Sequence, residues 1–257
     1  MSELNIYPKE TIDLPSEGKF YPENNPLASG QLDVFYMTAK HEDILTSSNL
    51  IAKNLVFDRL YAELIATPNV KLDDMLTGDV NALMVASRIL GYGKDYKVRV
   101  SCQQCGTTQE ATADLTLLEN TSPSDSPAEQ VGTTFVVELP VSKAKVEFKL
   151  MTRADEKYMQ AELEGYKKIK DAVAPETTTF LKTIIVSING VTDKKDIAEF
   201  ANNMLVRDSH FLRDVYVNTK PDINFEFTFE CENSECSNNG TARLPIGVDF
   251  FWPDIRV

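Results

Sequence analysis

Four cysteines, the only ones in this chain, fall into two close pairs. The first is Cys102-Gln-Gln-Cys105-Gly106 and the second is Cys231-Glu-Asn-Ser-Glu-Cys236. A C-x2-C and a C-x4-C pair carried on two turns suit four thiolates around one tetrahedral zinc. Buried thiols without metal, and redox or disulfide chemistry, are the alternatives. A redox C-x2-C expects a βαβ unit leading into it, and none precedes Cys102; the second pair has the wrong spacing as well. Met-Ser-Glu-Leu-Asn-Ile-Tyr-Pro at the start has neither a basic nor an apolar leader region, so a reducing cytoplasm is expected, which disfavours disulfides. Four thiolates close the coordination shell and leave no position for a reacting water, so such a zinc holds structure.

Other chemistry finds little to stand on. The two histidines, His41 and His210, lie near expected helix starts, where a surface or capping role suffices. Gly91-Tyr-Gly-Lys94 follows a helix and lacks phosphate-loop spacing. No G-x-S-x-G or H-E-x-x-H is present, and the Asp73-Asp74 and Asp193-Lys-Lys-Asp196 groups read as solvated faces. A non-enzymatic protein is expected.

The cysteines must be positioned by strands. Tyr96, Val98 and Val100 alternate into the first pair, and Phe225, Phe227 and Phe229 into the second, so each pair is expected at the tip of a β-hairpin. Upstream of the first pair, residues 11–30 read as extended chain with turns. A strand follows at Leu32, Val34 and Tyr36, then a helix capped by Thr38. Further helices are expected around Leu55 to Ile65, and after Gly78 with Asp79 as cap. Strands at Phe135 to Leu139 and Val146 to Leu150 lead to a helix from Met151. An apolar helix over Phe180 to Ile188, a turn at Asn189-Gly190, a helix from Asp193 to Met204 and one capped by Asp208 complete the series.

These elements come twice. Leu32, Val34, Tyr36, Met37, Thr38 and Glu42 match Val146, Phe148, Leu150, Met151, Thr152 and Glu156 without a gap. Asp79 and Leu83 precede Cys102 by the same offsets, 23 and 19, as Asp208 and Leu212 precede Cys231. The expected fold is α+β and internally duplicated, each half strand, helices and β-hairpin, with the two knuckles sharing one zinc-ribbon-like four-cysteine site. The boundaries expected are residues 1–118 for the first half, 119–133 for a Ser/Pro linker and 134–257 for the second, the halves forming one intertwined unit.

Net charge is −13 and the pI about 4.7. Nucleic acid binding wants clustered Lys and Arg, and the nearest run, Tyr166-Lys-Lys-Ile-Lys170, is flanked by Glu162, Glu164 and Asp171. A zinc-ribbon nucleic acid binder is therefore the weakest class. No apolar run approaches the ~20 residues that span a bilayer. Aromatic area collects at Phe250-Phe251-Trp252-Pro253 and in Leu14 to Pro22, where Phe20 and Tyr21 sit; each stretch could anchor the core or face a partner.

In chain order, L-P-S-E-G-K-F-Y-P from Leu14, M-T-x-x-x-E-D-I-L-T from Met37, L-T-G-D from Leu76 and G-Y-G-K-D-Y-x-x-x-V-x-C-x-x-C-G from Gly91 are joined by R-D-S-x-x-L-R from Arg207 and L-P-I-G-x-x-F-F-W-P from Leu244. Together they resemble the T4-like bacteriophage baseplate hub assembly protein family over nearly the whole chain. The second knuckle departs from a C-x2-C-G pattern. The resemblance implies a phage tail protein that assembles the baseplate hub, as a chaperone for a component such as the tape measure or hub protein or as a permanent baseplate subunit. It implies residence in the host cytoplasm during assembly or in the virion tail, and a homo-oligomer is compatible with it.

Overall fold

The computed structural model describes residues 8–121, 126–167, 173–236 and 238–251. Lys9–Asp13 (β1) pairs antiparallel with Gln31–Phe35 (β2). The helices Ala39–Leu45 (α1), Ser48–Ala52 (α2) and Val56–Leu64 (α3) follow, then the long Thr77–Tyr92 (α4). Asp95–Ser101 (β3) and Thr108–Asp114 (β4) form the first cysteine hairpin. Asn120–Thr121 (β5) and Glu129–Val131 (β6) flank residues 122–125, which lie outside the description. Thr134–Glu138 (β7) and Lys145–Lys149 (β8) make a second antiparallel pair. Arg153–Lys167 (α5), Glu176–Ile184 (α6), Ile185–Ile188 (β9), Lys194–Asn203 (α7) and Val206–Thr219 (α8) come next. Asp222–Ile223 (β10) returns to pair with β5, and Glu226–Glu230 (β11) with Asn239–Arg243 (β12) forms the second cysteine hairpin. The architecture is mixed α+β with small sheets, the largest an antiparallel β6-β7-β8-β9.

Period-two burial places these strands. In β3, Tyr96, Val98 and Val100 turn inward while Lys97 and Arg99 face solvent. Val146 and Phe148 of β8 are wholly buried, and the core they join is continuous across the chain. Phe20 of the early region meets Phe135 at 5.6 Å, and Phe57 of α3 meets Phe251 at the same separation. Each such ring pair adds to the area its members already bury.

The long helices begin differently from expectation. Helix α4 starts at Thr77 with Leu76 as an extended N-cap, so Gly78 and Asp79 lie inside its first turn. Gly78 permits this start because a Cβ there would sit 2.0 Å from the Pro221 carbonyl oxygen, inside contact distance. Asp79 does not cap the backbone of its own helix. Its carboxylate accepts hydrogen bonds from the Ser16 N–H at 3.0 Å and the Tyr21 hydroxyl at 2.6 Å. Asp208 holds the same third position in α8 and accepts from the N–H groups of Val141 and Ser142 at 2.8 and 3.0 Å. Ser16 lies in the β1–β2 connection, and Val141 and Ser142 in the β7–β8 connection. A buried carboxylate at the head of α4 and of α8 therefore ties down a hairpin loop.

The helix expected through Ile188 stops at Ile184. Ile185, Val186 and Ile188 go instead into β9 against β8, which suits a β-branched run beside an open sheet edge. The Asn189-Gly190 turn stands as expected, both residues left-handed at φ 51° and 84°. His41 is buried beneath the start of α1, its Nδ1 accepting from the Thr38 N–H at 2.9 Å, while His210 is exposed beside Asp214.

Four of the aromatic residues singled out from the sequence, Phe20, Tyr21, Phe250 and Phe251, are buried in the core. Phe250 and Phe251 have no exposed area, and Phe20 and Tyr21 are 7% exposed. Phe250 meets Tyr96 edge-on at 5.0 Å. Its carbonyl accepts from Arg88 Nε at 2.9 Å. That guanidinium is itself buried in α4, donates also to the Gly93 carbonyl at 2.9 Å, and lies 5.3 Å from the Tyr92 ring centroid. Trp252 and the lysines at 168 and 170 lie outside the described residues.

Candidate metal centre

Each cysteine pair is set by backbone hydrogen bonds that the local sequence makes possible. In the first hairpin the Cys102 N–H donates to the Thr107 carbonyl at 2.9 Å and the Gly106 N–H to the Cys102 carbonyl at 2.8 Å. Gly106 is left-handed, φ 75°, a conformation that costs glycine little, and it turns the chain back into β4. In the second hairpin the Cys231 N–H donates to the Asn238 carbonyl and the Cys236 N–H to the Asn233 carbonyl, both at 2.9 Å. The Asn233 side chain accepts from the Glu235 N–H at 3.0 Å. That asparagine turn absorbs the two extra residues of the longer pair.

Gln109 of β4 joins the hairpins. Its Nε2 donates to the Glu230 carbonyl at 2.7 Å, and its Oε1 accepts from the Glu232 N–H at 2.8 Å, so one buried carboxamide completes two main-chain bonds across the gap.

The consequence is convergence of all four thiols. Cys102 Sγ stands 3.9 Å from Cys236 Sγ, Cys105 Sγ stands 3.6 Å from Cys231 Sγ, and the four sulfurs lie within 4.8 Å of one another. None of the four is in a disulfide, which would need about 2.05 Å. A tetrahedral ion 2.3 Å from each sulfur sets sulfur–sulfur separations of about 3.8 Å, so the donor set has the size and softness for zinc. Asn238 Nδ2 lies 3.8 Å from Cys102 Sγ and Thr107 Oγ1 lies 3.2 Å from Cys105 Sγ, a surrounding polar shell that favours thiolate.

The electrostatics divide the quartet. The Thr107 hydroxyl and N–H bring the Cys105 thiol down to about 6, and backbone N–H groups of Cys105 and Gln104 lower Cys102. Burial, with the neighbouring thiols, pushes Cys236 up to about 12. Negative charge gathered on one hairpin penalises ionisation on the other, and a divalent cation among the sulfurs reverses that penalty.

Every cysteine singled out from the sequence is therefore in one cluster, and it is the one group of this kind found among the described residues. Gln109, Asn238 and Thr107 escaped sequence reading. Gln109 had a signal: it occupies an inward position of β4, where alternation calls for an apolar side chain.

Away from the cysteines, a cleft of about 530 Å³ opens between α5, α6 and α8, lined by Met159, Leu163, Phe180, Tyr216 and the exposed Val217. His210, Arg213, Asp214, Glu176 and Lys220 supply charge of both signs around it.

A family model described as T4 bacteriophage base plate protein matches residues 11–252. No curated protein and no solved structure matches the chain.

Proposed function

The chain belongs to the T4 bacteriophage base plate protein family, and from that premise we propose that it is a non-catalytic assembly factor of the baseplate hub. Membership supports a structural or assembly role in the baseplate and contact with other baseplate or tail proteins. The finer reading is a chaperone, working in the host cytoplasm while tails are built, for a component such as the tape measure or hub protein. The observation that carries it is the match over residues 11–252. The methionine- and aromatic-lined cleft adds support. Adaptable side chains with a rim of both charges suit an amphipathic helical segment of a tail protein.

Two structural proposals belong with this reading. The four thiolates hold one structural zinc, which fastens the hairpins together. The chain is a duplication, with residues 1–118 and 134–257 as halves of one unit and residues 119–133 linking them; the paired roles of Asp79 and Asp208 support it.

The test is co-expression with hub and tape measure proteins, followed by affinity capture. Association is expected for the parent chain and at least tenfold less for Val217→Asp, which puts a charge on an exposed apolar part of the cleft lining. Absence of association for the parent overturns the assembly reading. Stoichiometric presence in finished particles replaces the chaperone with a permanent subunit.

A further inference from the structure

The seam between the two lobes contains a short antiparallel bridge, Leu76 to Thr152. Across it the Thr77 N–H donates to the Met151 carbonyl at 3.1 Å and the Arg153 N–H to the Met75 carbonyl at 2.8 Å. Charge reinforces it, with Arg153 on Asp58 and Lys157 on Asp73, both at 2.8 Å. Met75 and Leu76 are buried there.

Both sides of this bridge have a second version in the same chain. Met204-Leu205-Val206 leads into α8 as Met75-Leu76-Thr77 leads into α4. The N-cap conformations nearly coincide, φ −61° and ψ 139° at Leu205 against φ −63° and ψ 145° at Leu76. Met37-Thr38-Ala39 leads into α1 as Met151-Thr152-Arg153 leads into α5. Yet the second versions do not meet. Leu205 is 50% and Val206 82% exposed. Among the described residues, the Met204 carbonyl, Val206 N–H, Met37 carbonyl and Ala39 N–H make no backbone hydrogen bond. These are the four groups equivalent to those bonded across the internal seam. Exposed Arg207 beside Val206 and exposed Glu42 and Asp43 beyond Ala39 also carry opposite charge.

We propose that the chain associates head to tail with further copies of itself, residues 204–206 of one copy bridging to residues 37–39 of the next. The contact repeats between molecules the bridge made once within each. It joins two different surface patches, so it closes into a ring or extends as a string. It rests on the duplicated reading of the chain.

Proline substitution tests this with little risk to the fold. Val206 and Ala39 are first helical residues preceded by extended ones, a place where proline fits and removes only the N–H. Sedimentation velocity on the isolated full chain from about 10 to 300 μM covers the range in which a weak contact fills. The parent should form dimers and larger species. Val206→Pro and Ala39→Pro should each remain monomeric, and their equimolar mixture should form a dimer and nothing larger, because each retains the edge the other lacks. A monomeric parent, or association untouched by either proline, overturns the proposal. Thr77→Pro separates the underlying reading: loss of its N–H bond should lower the melting temperature by roughly 2–4 °C. An unchanged melting temperature removes the internal bridge as a template. A lowered one, with a monomeric parent, overturns self-association alone.

Discussion

Asp79 and Asp208 sit at the same helical position and titrate in opposite directions. Burial pushes Asp79 up, against the bonds it accepts from Tyr21 and Ser16. Burial also opposes ionisation of Asp208, but the Val141 and Ser142 bonds outweigh it and hold that carboxyl below its usual value. A depressed carboxyl stabilises above the unfolded pKa of about 3.9 and loses that contribution as pH falls through the folded value. A raised one contributes below that unfolded pKa and loses its contribution as pH rises through the folded value. Asp208→Asn should therefore cost about 1–3 kcal/mol at pH 7, with the gap to the parent narrowing below about pH 4. For Asp79→Asn the parent should gain on the variant over the same acid range. Urea unfolding across pH measures both. Gln109→Ala should cost about 1–3 kcal/mol by leaving the Glu230 carbonyl and Glu232 N–H without their partner. Gln109→Glu should not rescue it, because a carboxylate has no donor for Glu230.

Helix α4 is the element most tightly constrained by its surroundings. Gly78→Ala forces its methyl against the Pro221 carbonyl, and a loss of about 1–3 kcal/mol in thermal unfolding is expected, as for other overpacked sites. Gly165→Ala, facing open space in α5, should instead stabilise slightly. The contrast shows what sequence made legible. The hairpins were readable because period-two burial and cysteine spacing are local signals, and the thiols could be predicted to converge without knowing the path between them. The start of α4 was not readable, because Gly78 answers to Pro221, far along the chain. Ile185 and Val186 carry helix-compatible apolarity, and only the open edge of β8 makes them a strand. The aromatic cluster at Phe250 and Phe251 left core and surface equally open, since area alone does not say what it packs on.

At the scale of the whole molecule, the thiol quartet joins chain segments that are otherwise remote, Cys105 and Cys231 being 126 positions apart. Native protein should contain one zinc per chain by elemental analysis, and Cys→Ser at any of the four positions should remove it. Chelation should loosen both hairpins together, seen as faster amide exchange in β3, β4, β11 and β12, because a shared ion transmits its loss to both. Exchange confined to one hairpin would mean that the pairs act separately. The Arg88 contact adds a different constraint, one of time. The carbonyl that receives its Nε belongs to Phe250, 162 residues later in translation. While the ribosome is still short of that point, the guanidinium can reach the carbonyls of Gly93 and Asp95 but not that of Phe250. Helix α4, made early, thus gains this anchor only when nearly the whole chain has been synthesised.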